Sequence, residues 1–306
     1  MKRLQNRIAE SRHALSVTAI YALAICFANH LVSQHMWIQM ALLGLCALLM
    51  VQLNNTNALI RIYSRMVSCS FLALSVMVSF IVPNTAGGIV AACFIGFFLI
   101  ICCAYQDPQA TGLVFYAFLC IGLASIFYVQ SLFFVPILWF SLAVYMLAFS
   151  ARTFVASILG LITPYWFGLV WLFFKGNPEW LTDHFSQLAC FSFPFDYSTL
   201  NPHTVVSFAF VALLAIVSSI HFLNTSFLDK IRTRMIYDML MLCDAFTLIL
   251  LLLQPQWFDP LFRIAIVCTA PLTGHFIALT RTRFSNVMFF VIIAITVGIT
   301  FWNLWT

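Results

Sequence analysis

Charge is what this sequence has least of: Asp, Glu, Lys and Arg supply 8% of its 306 residues, while 63% are hydrophobic. A soluble domain is about a quarter charged, and without that wetted exterior it cannot cover its surface. Soluble enzyme, nucleic-acid reader and disordered scaffold are therefore excluded as readings of the whole chain. Metal-ligand spacing is missing as well. The ten cysteines form neither a CxxC pair nor a Cys/His pattern, so no metal, cofactor or disulfide framework is expected. Adjacent Cys102 and Cys103 lie in an apolar run, where a thiol acts as a small hydrophobe.

Long apolar runs are what the chain has instead. A membrane span needs roughly 20 apolar residues to cross a core of about 30 Å. Eleven candidates follow one another: Ala14–Leu31, Met36–Leu53, Met66–Val82, Gly88–Ala104, Leu113–Tyr128, Leu132–Phe149, Val155–Phe174, His203–Phe222, Met239–Leu253, Leu261–Leu279 and Asn286–Trp305. The stretch 113–149 would be about 55 Å long as one helix, more than tilting absorbs. The polar interruption at Tyr128, Gln130 and Ser131 is therefore read as a turn between two spans. Apolar and polar residues do not alternate as barrel strands require. The expected fold class is all-α, a polytopic transmembrane helix bundle of about eleven spans, forming a single integral membrane domain over 1–306.

The basic residues orient that bundle. With the N-terminus in the cytoplasm, the inside collects Lys2, Arg3, Arg7, Arg12, Arg61, Arg65, Arg152, Lys230, Arg232, Arg234, Arg281 and Arg283, and the outside only Lys175 and Arg263. This asymmetry obeys the positive-inside rule and predicts N-in, C-out. The net charge of +5 then serves an anionic leaflet, not nucleic acid. Residues 1–13 form a basic cytoplasmic N-terminus. Within it Met1, Leu4 and Ile8 recur at helical spacing, suited to the membrane interface; a plain basic flank of the first span is the alternative. Asn54-Asn55-Thr56 and Asn224-Thr225-Ser226 match a glycosylation sequon, but both fall on the cytoplasmic side.

Ionisable side chains within spans cost roughly 2.5–3.5 kcal/mol at a helix centre, so they are the first place to look for function. Asp244 on the ninth span and His275 on the tenth are expected at similar depth, within hydrogen-bond reach, with His221 of the eighth near the same face. Such a group would relay a proton or orient a general base. These three are the catalytic candidates; the alternative is that they reach the headgroups and snorkel. Arg61 and Arg65, four apart, are expected to share a helical face beside Asn54, Asn55 and Asn57, either gripping a phosphate or serving as a basic flank. Pro164 and Pro271, each mid-span, are candidate helix breaks.

The one long connection, 175–202, has its own pattern. Asn177 is a helix cap, Pro178 suits the first helical position and Glu179 the first turn. Leu181, Phe185 and Leu188 then repeat at i, i+4 and i+7, which predicts an amphipathic helix on the outer membrane surface. Trp180 and Phe185 join Arg61 and Arg65 as substrate-binding candidates. The helix is either a lid over a lateral entrance for a lipid-like molecule or part of an aromatic belt.

Known catalytic motifs are mostly absent. Prenyltransferase aspartate clusters, rhomboid serine motifs and P-loops are absent. The first outside turn, Val32-Ser33-Gln34-His35, lacks the acidic residue of glycosyltransferases that use polyprenyl-linked sugars. His275 is the only position for an acyltransferase-type intramembrane histidine, and its surroundings do not match. The short basic N-terminus and the polar hinge from Leu53-Asn54-Asn55-Thr56-Asn57 to Arg61-Ile62-Tyr63-Ser64-Arg65 give the chain a layout that resembles an uncharacterised group of small bacterial multi-pass inner-membrane proteins. That resemblance implies a bacterial inner (cytoplasmic) membrane and carries no activity with it.

Three function classes are open. The first is a component of envelope or lipid-linked polymer biogenesis that handles a lipidic substrate, which the 33 phenylalanines favour. The second is a proton- or sodium-coupled secondary transporter working through Asp244 and His275. The third is an assembly scaffold using the small-residue pairs Ala156/Gly160 and Ala294/Gly298. Expected partners are membrane lipids, with a lipid-linked substrate or other membrane subunits. A closed polar cavity at the centre would mark a transporter, and a groove open sideways to lipid a lipidic substrate.

Overall fold

A bilayer offers no water to backbone N–H and C=O groups, so each apolar segment closes its own hydrogen bonds as a helix. The computed structural model of the protein describes residues 3–175, 179–189, 201–280 and 282–305, and among them every regular element is helical. The α-helices are α1 Leu4–Ala9, α2 Ala14–Ala28, α3 Trp37–Asn57, α4 Met66–Met77, α5 Thr85–Ile101, α6 Thr111–Phe127, α7 Val135–Val144, α8 Ala151–Lys175, α9 Glu179–Ser186, α10 Pro202–Thr225, α11 Ile231–Leu253, α12 Phe258–Leu279 and α13 Arg283–Leu304. Six of these, α3, α5, α10, α11, α12 and α13, are long and apolar enough to cross a membrane. The protein is a helical membrane protein.

The helix α12 is the mast of the bundle. Its apolar window is 94% buried, against 33% for α13, because α4, α5, α10 and α11 surround it. Glycine permits the closest approaches. A Cβ at Gly274 of α12 would meet Val67 N of α4 at 2.8 Å, so the two backbones touch. The pair α6–α8 is built the same way: a Cβ at Gly122 would meet Leu161 O at 2.7 Å, and one at Gly160 would meet Phe115 O and Leu119 N. The small-residue pair Ala156/Gly160 is thus used within the chain. By contrast, Gly298 of the other pair has open space where its side chain would be.

The apolar run 113–149 is broken where the polar interruption predicts. Tyr128 is extended (φ −151°, ψ 93°), a 3-10 stretch Val129–Phe134 follows, and α7 then starts with proline in its first turn. Neither candidate proline break exists: α8 runs through Pro164 and α12 through Pro271. The expectation for Arg61 and Arg65 is also corrected. Ala58 enters the left-handed region (φ 48°) and ends α3, and the segment from there to Arg65 is irregular. The two arginines therefore share no helical face. Asn54 makes this turn, donating to Ser64 O at 3.0 Å and accepting from Ile60 N at 3.3 Å.

Polar side chains tie the helix ends into two sets. In one, Arg232 donates to Asn57 Oδ1 and Cys102 O, both at 2.9 Å, and Ser150 Oγ donates to Pro108 O at 2.9 Å. The N-terminal helix joins this set. Gln5 Nε2 donates to Ile277 O and Thr280 Oγ1 at 2.6 and 2.8 Å, and Asn6 Nδ2 donates to Thr280 O at 3.0 Å. These bonds occupy carbonyls that the end of α12 leaves without helical partners. Leu4 and Ile8 stay exposed, as interfacial residues would. In the other set, Asn29 Nδ2 donates to Ser79 O at 3.0 Å and Asn303 Nδ2 to Met77 O at 2.7 Å. There Arg263 is held by Asp259 at 2.9 Å and by the carbonyls of Asn84 (3.0 Å) and Ile81.

The glycine contacts predict opposite outcomes for two similar substitutions. Gly160→Ala should force α6 and α8 apart and lower stability by about 1–3 kcal/mol. Gly298→Ala, facing open space, should be neutral or stabilising, since alanine exceeds glycine in helix propensity by about 1 kcal/mol. Thermal unfolding of the two variants in detergent checks the contrast.

Candidate functional site

The three catalytic candidates separate into two places. Asp244 is 2% exposed, and the Thr269 hydroxyl lies 3.0 and 3.1 Å from its carboxylate oxygens and donates to them. The expected Asp244–His275 pair is not formed. Thr269 lies six residues before His275 on the same helix, about 9 Å along its axis. The reason is where α11 starts. The polar turn Ile231-Arg232-Thr233-Arg234 is already helical, so Asp244 sits roughly 20 Å into the helix, while His275 is close to the end of α12.

His275 instead meets Asp229, its Nε2 lying 3.0 Å from Oδ2. The two side chains are 1% and 2% exposed. Asp229 stands in the α10–α11 connection, in an extended conformation after the single 3-10 turn Ser226–Leu228, which turns its side chain inward. His221 joins the imidazole, ring centres 6.1 Å apart, and Phe222 and Tyr237 close the site at 5.1 and 5.0 Å from the His275 ring. Arg61 reaches the same carboxylate from the surface: its Nη1 is 3.8 Å from Asp229 Oδ1 and donates to Leu228 O at 3.2 Å. Arg65 stays apart, stacked over Tyr63 at 5.7 Å.

Asp229, Tyr237 and Thr269 are the partners that sequence reasoning missed. Asp229 carried one signal, a carboxylate in a short connection between consecutive spans. Nothing in the sequence paired it with His275. Chemically, the carboxylate orients the imidazole, and the Arg61 guanidinium adds positive charge at the exposed edge of the pair. The Nδ1 atoms of His221 and His275 are buried without hydrogen-bond partners. Among the described residues no group of three or more metal-ligating side chains occurs.

The 175–202 connection forms its helix, α9, with a 3-10 turn Gln187–Ala189 after it. Asn177, Pro178 and Cys190 lie outside the described residues, as does the side chain of Trp180. His184 anchors α9 to α6. This residue is buried, with Nε2 2.9 Å from Ser125 O of α6. Phe185 packs on Tyr165 of α8, ring centres 5.2 Å apart. Burial pushes the His184 pKa below its ordinary 6.5, outweighing the Ser125 carbonyl, which raises it.

Among the described residues an apolar cavity lies between α2 and α13. Both α2 and α13 pack on α4 and leave between them a cavity of about 550 Å³, floored by Cys69 and Ala73 of α4 and Ile277 of α12, and walled by Val17 and Ile293. Tyr21 OH donates to Thr300 Oγ1 at 2.7 Å and bridges the two helices at one end. Ser11 and His13 line the opposite end, beside α1. No protein-family model matches the chain, and no curated protein or solved structure matches it.

Two outcomes follow from this geometry. Asp229→Ala should strand the closed His275 ring and lower stability by about 1–3 kcal/mol, whereas Arg61→Ala, at an exposed edge, should cost about 1 kcal/mol or less; unfolding midpoints separate them. For His184 the depressed pKa means that the released helix binds protons more readily than the docked one. Docking of α9 is therefore fully stable above the ordinary value of 6.5 and weakens as pH falls below it through the docked-state pKa. Protease sensitivity of residues 179–189 should rise from neutral pH toward about pH 5, and His184→Gln should remove that dependence.

Proposed function

We propose that the protein is an eleven-span component of a bacterial inner membrane that takes the hydrocarbon part of a lipidic substrate sideways into the α2–α13 groove. Its setting on this reading is envelope or lipid-linked polymer biogenesis. The groove is the observation that carries it. A volume of about 550 Å³ lies within the roughly 300–1,000 Å³ of ligand sites. Its lining is almost wholly apolar, and it opens toward the face that lipid would occupy. The centre of the bundle is filled by α12, and Asp244 and His275 keep separate partners, so a single coupled relay through those two residues has no support.

The eleven crossings draw support from the two sets of end contacts. Connections in odd and even positions along the chain gather at opposite ends, and Arg61, Arg232 and the α1 arginines belong to one set. Orienting that set to the cytoplasm satisfies the positive-inside rule, with the N-terminus in and the C-terminus out.

Two measurements test the reading. Native mass spectrometry of the protein from mild detergent should show a bound lipid that Ala73→Trp, filling the groove floor, removes. Lipid retained equally by that variant would overturn the groove assignment. In intact cells, in a Cys190→Ser background, an impermeant maleimide should label Ser33→Cys and leave Lys230→Cys unlabelled; the reverse pattern would overturn the orientation.

A further inference from the structure

Resting on that lipidic reading, we infer that the molecule in the α2–α13 groove carries a phosphate head group, held at the groove mouth by the turn Ser11-Arg12-His13 together with Arg7. The groove is chemically divided along its length. Its floor and walls are Cys69, Ala73, Val17 and Ile293, whereas Ser11 and His13 line it only where α1 turns into α2. The far end is shut by the Tyr21–Thr300 hydrogen bond, so a hydrocarbon chain enters with its head at the α1 end.

That end is cationic. Arg7, Arg12 and His13 are exposed, while Glu10, the acidic group of the turn, is half-buried. The turn is locally built: Ser11 N donates to Ile8 O at 3.0 Å and His13 N to Ser11 Oγ at 3.2 Å, and Arg7 and Arg12 are the chain neighbours of the lining residues Ile8, Ser11 and His13. His13 leaves the start of α2 without a side-chain cap, so the first-turn amides add to the positive field there. The facing wall at this level, Ile277 and Phe289, brings no competing carboxylate. Positive charge around the opening of an apolar slot complements a lipid with an anionic head, and phosphate is the head group assigned to it. Glycerophospholipids and polyprenyl phosphates share that chemistry.

The test uses the full-length protein in neutral detergent and three tail-spin-labelled probes: phosphatidic acid, polyprenyl monophosphate and diacylglycerol. The expected result is that a phosphate probe is immobilised at least about five-fold more than diacylglycerol, and the better of the two phosphate probes names the source. Arg12→Gln should lower that retention about five-fold, the factor for one arginine at a charged surface, and Arg7→Gln with Arg12→Gln further. Ala73→Trp should abolish retention of every probe. Unchanged unfolding midpoints of the exposed arginine variants confirm that the loss is one of binding. Equal retention of diacylglycerol and the phosphate probes, or retention indifferent to both arginines, overturns the head-group inference and leaves the groove reading standing. Failure to immobilise any probe overturns both.

Discussion

The burial of α12 on every side is the constraint from which the rest of the structure follows. A helix enclosed by protein has no lipid or water face on which to place polar side chains, so each needs a partner on a neighbour. Thr269 finds Asp244 on α11, Thr273 finds Ser218 on α10 at 3.5 Å, and His275 finds Asp229. The Pro271 carbonyl accepts from Tyr237 OH at 3.4 Å, and the last turn is taken up by Gln5 and Asn6. Four separate segments, α1, α10, the α10–α11 connection and α11, are thereby held to one helix by bonds that would be costly to leave unmade.

Between those bonds, contact is set by how closely backbones can approach. Gly274 seats α4 on the mast, and Gly122 and Gly160 seat α8 on α6. Close packing of this kind supplies dispersion contacts where the hydrophobic effect between helices is weak. It also leaves α2 and α13 as outriders on α4, not in full contact with each other. The groove is the space between two helices that lean on a common neighbour.

The groove and the His275 cluster lie on different faces of α12. Thr273 and Ile277, four residues apart, line the groove, while His275 between them points toward α10 and the α10–α11 connection, as helical periodicity requires. Two helices join the groove to the cluster, α12 and α10, which lines the groove with Leu214 and packs His221 and Phe222 on the His275 ring. Gly274, between Thr273 and His275 on α12, lies with its backbone against α4.

Composition, run length and the lack of strand-type alternation by themselves determined that this is a helical membrane protein, since a closed barrel, the other way to satisfy a backbone in lipid, needs that alternation. The break near Tyr128 and the amphipathic α9 were legible because each rests on local sequence. The residues that matter most at the site were not. Counting the polar start of α11 as loop misjudged the depth of Asp244, and so its partner. Gln5 and Asn6 looked like part of a basic flank, and Asp229 like a residue of a connector. Which helix leans on which, and hence the Asp229–His275 pair, the His184 anchor and the α2–α13 groove, was decided only by tertiary packing. Hydrophobic periodicity says that a face is buried but not against what, and a polar side chain takes its partner from the helix that glycine allows to come close.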